Sequence, residues 1–244
     1  MIEQKDSKRV ASYWSSTGDW RLTYFDDLKN TPDEDLRFVL RAEKETAVVE
    51  EKVFNRLLQE GVTNVLELGC GVGRSMIKEI AQYPDKHFVG VDLSPYQIAL
   101  FQKQISSLGA KNAKAIACDV SDMHCIHDRF DLIMMCNHTF GNFLGDTRSK
   151  ALDEMCRLLD ANGRIMISGF SNIELAKQCY DEWHVKVEDI DYDIGLCKLG
   201  DYNSFWQKEA DTNKEFISRG FHVVDSIPTT LGFVNIFARN NILI

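Results

Sequence analysis

The chain has 244 residues and a formal net charge of −9, from 37 acidic and 28 basic side chains. Hydrophobic residues make up 44% of it and charged residues 27%, which is typical of a globular protein with a full core. The acidic balance disfavours a broad nucleic-acid or anionic-membrane surface but leaves room for a local basic patch. We expect no membrane span and no secretory signal. Seven scattered cysteines favour a reduced, cytoplasmic protein.

The first sixty residues predict an N-terminal strap followed by a long helix. Residues 7–31 are rich in aromatic side chains, and a helical pattern runs from Pro32 to about Gln59 before Gly61 ends it. Two interpretations of the aromatic segment remain open. It is either a strap packed over the core or a lid over a ligand site, in which Tyr13 or Trp14 faces a cation.

Residues 65–75 predict a buried strand, a tight turn and the start of a helix. A short apolar run contains Glu67, glycines then alternate at positions 69, 71 and 73, and a helical pattern continues to about Gln82. Glycines allow a ligand to approach the backbone, and a helix N-terminus offers unpaired N–H groups. The dinucleotide-binding spacing requires a third glycine where Arg74 stands, so this turn is of another kind.

Two further strands are predicted to end in acids. Residues 87–92 form the first and end at Asp92, after which a helix capped by Ser94 runs to about Leu108. Residues 113–120 form the second and contain Asp119. A carboxylate offers the paired acceptors that suit a vicinal diol. For Asp119 the alternative role is a simple cap on the following turn.

Together with the glycine turn, the acids Glu67, Asp92 and Asp119 resemble the cofactor site of class I S-adenosylmethionine-dependent methyltransferases. The resemblance implies an α/β fold: a doubly wound, seven-stranded Rossmann-like methyltransferase sheet with an antiparallel C-terminal hairpin and a small cap. It also implies that the glycine turn holds the methionine end of S-adenosylmethionine. Asp92 would then bind the ribose and Asp119 the adenine amino group, and the N-terminal segment would cover the bound cofactor as a lid. The implied cofactor-binding residues are Tyr13, Trp14, Glu67, Gly69, Cys70, Gly71, Gly73, Asp92, Leu93, Cys118, Asp119, Val120 and Asn137.

The fourth predicted strand, residues 130–137, leads into a loop where the methyl acceptor should lie, because ligands of open α/β sheets bind beyond the strand ends. His138 is the candidate general base for an oxygen acceptor, although a capping or supporting histidine is the alternative. Asn137 or Asn142 would orient a nitrogen acceptor. Phe140, in the same loop, is a candidate substrate contact.

The remainder of the chain predicts the rest of the sheet and an insertion. A helix over 146–159, a turn over 160–164 and a fifth strand over 165–170 precede a helix over 205–219 and strands over 221–227 and 233–240. The predicted division is a strap and helix (1–60), a cofactor core (61–170), an inserted cap (171–204) and a C-terminal helix with hairpin (205–244). Tyr180, Trp183 and His184 would contact substrate if the insertion covers the site, and would not if it is an edge elaboration.

The resulting hypothesis is S-adenosylmethionine-dependent methylation of a small molecule, by in-line transfer, at nitrogen rather than oxygen. Thr139-Phe140-Gly141-Asn142 resembles loops of small-molecule N-methyltransferases of the glycine-methylating kind, and the proline pair of base- and glutamine-methylating enzymes is missing. Alternatives are methylation of RNA or protein and a non-catalytic cofactor-binding subunit; a nicotinamide-dependent dehydrogenase is disfavoured by Arg74 and Asp119. A macromolecular acceptor would need a basic patch, for which the loose candidates are Arg21, Arg37, Arg41, Lys44 and Arg148.

Two further expectations concern metals and assembly. His124, Cys125 and His127 have the spacing of part of a metal-binding motif. The sequence nearby offers no further residues to complete the ligand set, so we expect no metal site. We expect a monomer or homodimer.

Overall fold

Helices precede the first strand of the sheet in the described part of the chain. The structure is a computed structural model that describes residues 7–16, 24, 26–200 and 202–240. Helix α1 spans Ser7–Ser16 and helix α2 spans Phe38–Gln59. The prediction that the long helix opens at Pro32 is wrong, because Pro32 begins a single 3-10 turn and Leu36 returns to extended backbone at φ −100° and ψ 139°.

Ten strands and five more α-helices follow among the described residues. The strands are β1 Asn64–Leu68, β2 His87–Asp92, β3 Ala113–Ala117, β4 Phe130–Met135, β5 Leu159–Phe170, β6 Val187–Asp191, β7 Leu196–Leu199, β8 Asn203–Phe205, β9 Phe221–Pro228 and β10 Gly232–Arg239. The helices are α3 Ile77–Gln82, α4 Pro95–Ser107, α5 Gly145–Leu158, α6 Ile173–Glu182 and α7 Glu209–Ile217.

Seven strands form one mixed sheet in the order β3-β2-β1-β4-β5-β10-β9. Strands β1 to β5 pair in parallel, and β10 runs antiparallel to both of its neighbours. The chain leaves β1 towards β2 on one side and returns to β4 on the other, so the order of strands reverses beside β1. Ligands of open α/β sheets bind beyond the strand ends at such a reversal. The predicted seven-stranded sheet with its antiparallel C-terminal hairpin is confirmed.

Alternating side chains of β1 reach both faces of the sheet. Leu66 packs in one core cluster with residues of α5 such as Met155. Val65 packs in the opposite cluster with Phe54 and Leu57 of α2. Burying a side chain of this size stabilises a fold by about 1.5–3 kcal/mol. Because both faces of the sheet are covered in this way, the strand ends that carry the site are held in place.

A second, three-stranded antiparallel sheet in the order β6-β7-β8 occupies most of the region predicted as an insertion and extends one residue beyond it. It shares a core cluster with α6 and with Val10 of α1 and Val39 of α2. Two boundaries were predicted wrongly. Strand β5 already begins at Leu159, which pairs with Phe130 in place of the expected turn. Residue Phe205 ends β8, so the last helix begins only at Glu209.

No helix among the residues that the structure describes is long and apolar enough to cross a membrane.

Candidate active site

A cavity with about 1110 Å³ of empty space, including solvent at its mouth, opens at the carboxyl ends of the central strands. Its wall combines the glycine turn, the strand-end acids, the loop after β4 and α1. The sequence-predicted residues that line it are Trp14, Glu67, Gly69, Cys70, Gly71, Asp92, Leu93, Asp119, Val120, Asn137 and Asn142. One cavity therefore brings together most of the residues that the sequence singled out for a cofactor.

The glycine turn after β1 depends on residues without a side chain. Gly69 has φ +70°, and a Cβ there would overlap with the Thr139 methyl group. Gly71 has φ +55°, and a Cβ there would lie 2.7 Å from Gln97 Oε1. Left-handed backbone of this kind favours glycine. Gly73 does not line the cavity; it gives room to the ring of Phe101 on α4.

Glu67 places a buried carboxylate oxygen in the cavity wall. Its Oε1 accepts a hydrogen bond from the Ser75 hydroxyl, whereas Oε2 is buried and has no hydrogen-bond partner among the residues that the structure describes. Burial raises the pKa of this carboxyl to about 8. A buried acceptor without a partner is rare in native proteins and indicates a missing donor, such as a ligand ammonium group. The residue thus fits the amino end of S-adenosylmethionine.

The two other acids hold the loops around the cavity. Asp92 Oδ2 accepts from the Gly71 N–H at 2.9 Å, and its Oδ1 accepts from the Ser94 N–H at 2.8 Å. Asp119 Oδ1 accepts from the N–H and hydroxyl of Ser121 at 2.9 and 2.7 Å. Asp119 therefore caps its own turn, as the alternative proposed, and also lines the cavity.

Helix α1 lies over one side of the cavity. Trp14 is part of the wall, and its carbonyl oxygen accepts from Gln97 Nε2 at 2.5 Å. The hydroxyls of Ser15 and Ser94 are 2.8 Å apart. Tyr13 does not line the cavity and packs at 4.9 Å between ring centroids on Tyr202 of the cap. Of the two aromatic residues considered for a lid, Trp14 is therefore the one placed to face a ligand.

The loop after β4 presents amides to the cavity but buries its histidine. Asn137 and His138 have φ of 53° and 56°, and Asn137 and Asn142 line the cavity. His138 is only 5% exposed and stacks on Phe170 with 3.6 Å between centroids. Burial lowers its pKa to about 4. The structure therefore does not support His138 as a general base, because the ring is turned into the core, away from the cavity wall.

The predicted substrate contacts are also turned away from this cavity. Phe140 is buried beneath the Arg148 guanidinium, 3.7 Å from its ring centroid. Tyr180 is 3% exposed and packs among aromatic rings, including that of Trp183 at 5.0 Å. Neither these residues nor His184 line the cavity. The structure therefore does not support substrate contacts by these rings, since Phe140 packs in the core of the main sheet, and Tyr180 and Trp183 pack in the core of the cap.

Two other sequence features do not form sites in the structure. Cys118 lies outside the cavity lining, with its Sγ 3.9 Å from that of Cys125. His124 Nδ1 is 2.8 Å from Asp122 Oδ1. Among the described residues no cluster of three or more His, Cys, Asp or Glu side chains could hold a metal ion.

Sequence reasoning missed a buried carboxylate on α2 beside the cavity. Glu50 accepts from the Asn137 N–H at 2.5 Å, from the Ser168 hydroxyl at 2.6 Å and from Arg74 at 3.0 Å. Burial opposes its ionisation, but Arg74 and the hydrogen bonds hold its pKa below the ordinary value. The sequence contains a signal for this residue, because position 50 falls on the apolar face of the helix that includes Val53. An acid on such a face indicates a buried carboxylate.

A family model described as a methyltransferase domain matches residues 59–215. The chain belongs to this methyltransferase family. The cofactor of the family is S-adenosylmethionine, so the predicted class and the predicted cofactor are confirmed. The unpartnered oxygen of Glu67 and the open glycine turn agree with that cofactor.

Curated relatives match only part of the chain. An uncharacterized protein of Rickettsia prowazekii (strain Madrid E) is 36% identical over 106 residues, which are 43% of this chain and 19% of that protein. A tRNA (guanine-N(7)-)-methyltransferase of Acetivibrio thermocellus is 32% identical over 114 residues, 41% of this chain and 52% of the relative. The matched region thus spans about a fifth of the first relative and half of the second.

Solved methyltransferases share the fold over nearly the whole chain. The magnesium protoporphyrin IX methyltransferase of Synechocystis PCC 6803, solved with bound S-adenosylhomocysteine, superposes with a TM-score of 0.65. The identity is 18%, and the match covers 96% of this chain and 98% of the other. At this identity the likeness establishes the fold alone.

Proposed function

We propose that this protein transfers the methyl group of S-adenosylmethionine to a small-molecule acceptor, at nitrogen rather than oxygen. The observation that carries the proposal is the single cavity in which the unpartnered Glu67 oxygen, the glycine turn and the acids Asp92 and Asp119 meet. The bound cofactor would supply an electrophilic methyl group on a sulfonium. The protein has to orient an acceptor against that methyl and to exclude water.

Each wall of the cavity has a proposed task. Glu67 binds the ammonium group, Asp92 the ribose hydroxyls and Asp119 the adenine amino group. Trp14, from α1, covers the site and limits the access of water. Asn137 and Asn142 lie in the loop where the acceptor enters and can donate to it or accept from it.

The preference for nitrogen follows from the missing base. A neutral amine needs only its lone pair aimed at the methyl, whereas a hydroxyl acceptor benefits from a general base. His138, the nearest candidate, is buried with its pKa lowered to about 4. On the acceptor side, the described lining residues offer Asn137, Thr139 and Asn142 instead of a histidine or lysine.

Methylation of RNA is the second candidate, since one curated relative is named as a tRNA methyltransferase. Of the basic residues considered for such a surface, Arg37, Lys44 and Arg148 pair with acids, whereas Arg41 donates to the backbone carbonyl of Asp33 at 3.3 Å. Lys44 bonds to Asp33 at 2.8 Å, and the buried Arg148 bonds to Glu215 at 2.7 Å. Arg37 pairs with Glu182, and Arg21 lies outside the described residues. This pairing favours a small acceptor over RNA. We also still expect the protein to be cytoplasmic and to be a monomer or a homodimer.

Calorimetric titration tests the cofactor and the acceptor class in turn. The same preparation is titrated with S-adenosylmethionine, S-adenosylhomocysteine and NADH, and we expect binding of the first two only. Amines are then screened for methylation, followed by phenols, carboxylates and tRNA. Turnover of tRNA would replace the small-molecule proposal. Cofactor binding without turnover on any acceptor class would favour the non-catalytic cofactor-binding subunit.

A further inference from the structure

Glu50 connects parts of the site that are far apart in sequence. It lies on α2, 87 positions before Asn137 and 118 before Ser168. Its Oε1 accepts from both of these residues, at 2.5 and 2.6 Å, and its Oε2 accepts from Arg74 at 3.0 Å. One carboxylate thus bonds to the loop after β4, to β5 and to the residue that follows the glycine turn.

The backbone held by Glu50 is the strained part of the acceptor loop. Asn137 and His138 both adopt left-handed φ, a conformation that is strained for a residue with a side chain. The N–H of Asn137 donates to Glu50, and the N–H of His138 donates to Ser168 Oγ at 3.0 Å. Ser168 in turn donates to Glu50. Both strained peptide groups therefore depend, directly or through one hydroxyl, on a single carboxylate.

The other carboxylate oxygen of Glu50, Oε2, orients the Arg74 guanidinium in the cofactor half of the cavity. Arg74 lies beside Glu50, with 15% of the Arg74 side chain and 4% of the Glu50 side chain exposed, and both Arg74 and Asn137 line the cavity. The geometry points to Glu50 as a positioning residue that holds the acceptor loop at a fixed distance from the glycine turn. This inference rests on the proposed methyl transfer, in which acceptor and methyl must be aligned closely, and small misplacements are costly.

The test compares three variants of the full chain. Glu50→Gln keeps the shape but has a single carbonyl oxygen, which the Arg74 cation requires as its acceptor. The amide NH2 of the new side chain would then face the Asn137 N–H and the Ser168 hydroxyl, and the loop would lose its bonds to position 50. Ser168→Ala removes only the bridging hydroxyl. Glu43→Gln is the matched control, because Glu43 is buried on the same helix and bonds instead to the Tyr24 hydroxyl at 2.8 Å. Thermal unfolding verifies that each variant is folded.

Two readouts separate positioning from general stability. Hydrogen exchange is followed in the empty protein, and we expect about tenfold faster exchange at residues 137 and 138 in Glu50→Gln and Ser168→Ala, with no change in Glu43→Gln. For turnover of an amine found in the screen, we expect kcat to fall about tenfold or more in Glu50→Gln while KM and the Kd of S-adenosylhomocysteine change about threefold or less.

The outcomes also separate this inference from the proposed function. Unchanged exchange in Glu50→Gln overturns the positioning role whatever the turnover, and so does faster exchange with an unchanged kcat. Failure of the wild-type chain to bind any cofactor or to methylate any acceptor overturns the proposed function. In that case hydrogen exchange still decides whether Glu50 holds the loop.

Discussion

Cofactor binding is expected to release a proton from Glu67. Because burial raises the pKa of this carboxyl to about 8, it is about 97% protonated in the empty protein at pH 6.5. A ligand ammonium requires the ionised form of Glu67, whereas the amino group of the ligand, which belongs to a free α-amino acid, is almost fully charged at that pH. Binding should therefore release about 0.9 proton at pH 6.5.

The release disappears at high pH. At pH 9 Glu67 is already mostly ionised before the ligand binds, so it has almost no proton to release. The assay is calorimetry with S-adenosylhomocysteine in two buffers of different ionisation enthalpy at each pH. Glu67→Gln should abolish the release at pH 6.5 and leave the proton exchange at pH 9 almost unchanged. Equal enthalpies in both buffers at pH 6.5, or an undiminished release in the Gln variant, would refute the assignment.

The same carboxyl makes the stability of the empty protein depend on pH. Its pKa rises on folding from an ordinary 4.5 to about 8, so between these values the folded state keeps a proton that the unfolded chain has lost. Stability contributed by this group is therefore greatest below pH 4.5 and falls as pH rises towards 8. We expect Glu67→Gln to raise Tm over wild type more at pH 8 than at pH 5, by differential scanning calorimetry.

Three further substitutions test other parts of the site. Asp92→Ala should weaken S-adenosylhomocysteine binding by about 1–3 kcal/mol through lost charged hydrogen bonds; an unchanged Kd by calorimetry would exclude its role. His138→Ala should leave that Kd and the pH profile of turnover unaltered, whereas a loss rescued at high pH would restore the general-base hypothesis. Gly71→Ala should reduce cofactor affinity, because its Cβ would lie 2.7 Å from Gln97 Oε1. Gly109→Ala is its control, with φ +64° but nothing within 4 Å, so calorimetry should show intact binding.

The cofactor half of the site could be predicted because its signals are local. Glu67 and Asp92 each lie in a short apolar strand, and the sheet brings the ends of such strands together. Glu50 could not be assigned a partner from sequence, since the helical pattern indicates a buried face without revealing what it meets. The direction of His138 was equally inaccessible, because it depends on left-handed backbone at two successive residues.

The cap illustrates a different limit. Its short strands lack a long periodic pattern, so extended segments could be expected there but not their pairing. No sequence pattern indicates that the cap extends to Phe205, which belongs to β8 and pairs with Leu196. Long-range pairing of this kind depends on tertiary contacts rather than on intrinsic preference.

Helix α1 has a consequence for the rate of ligand exchange. It is only 10 residues long, and helices of this length are marginal in water without tertiary contacts. Its contacts with α4 include the Trp14–Gln97 bond and the approach of Ser15 to Ser94. Product should therefore leave by local unfolding of α1, a step of low free energy compared with global unfolding. A first turnover faster than the following ones, and faster release in mild denaturant, are the kinetic signature of such a helix.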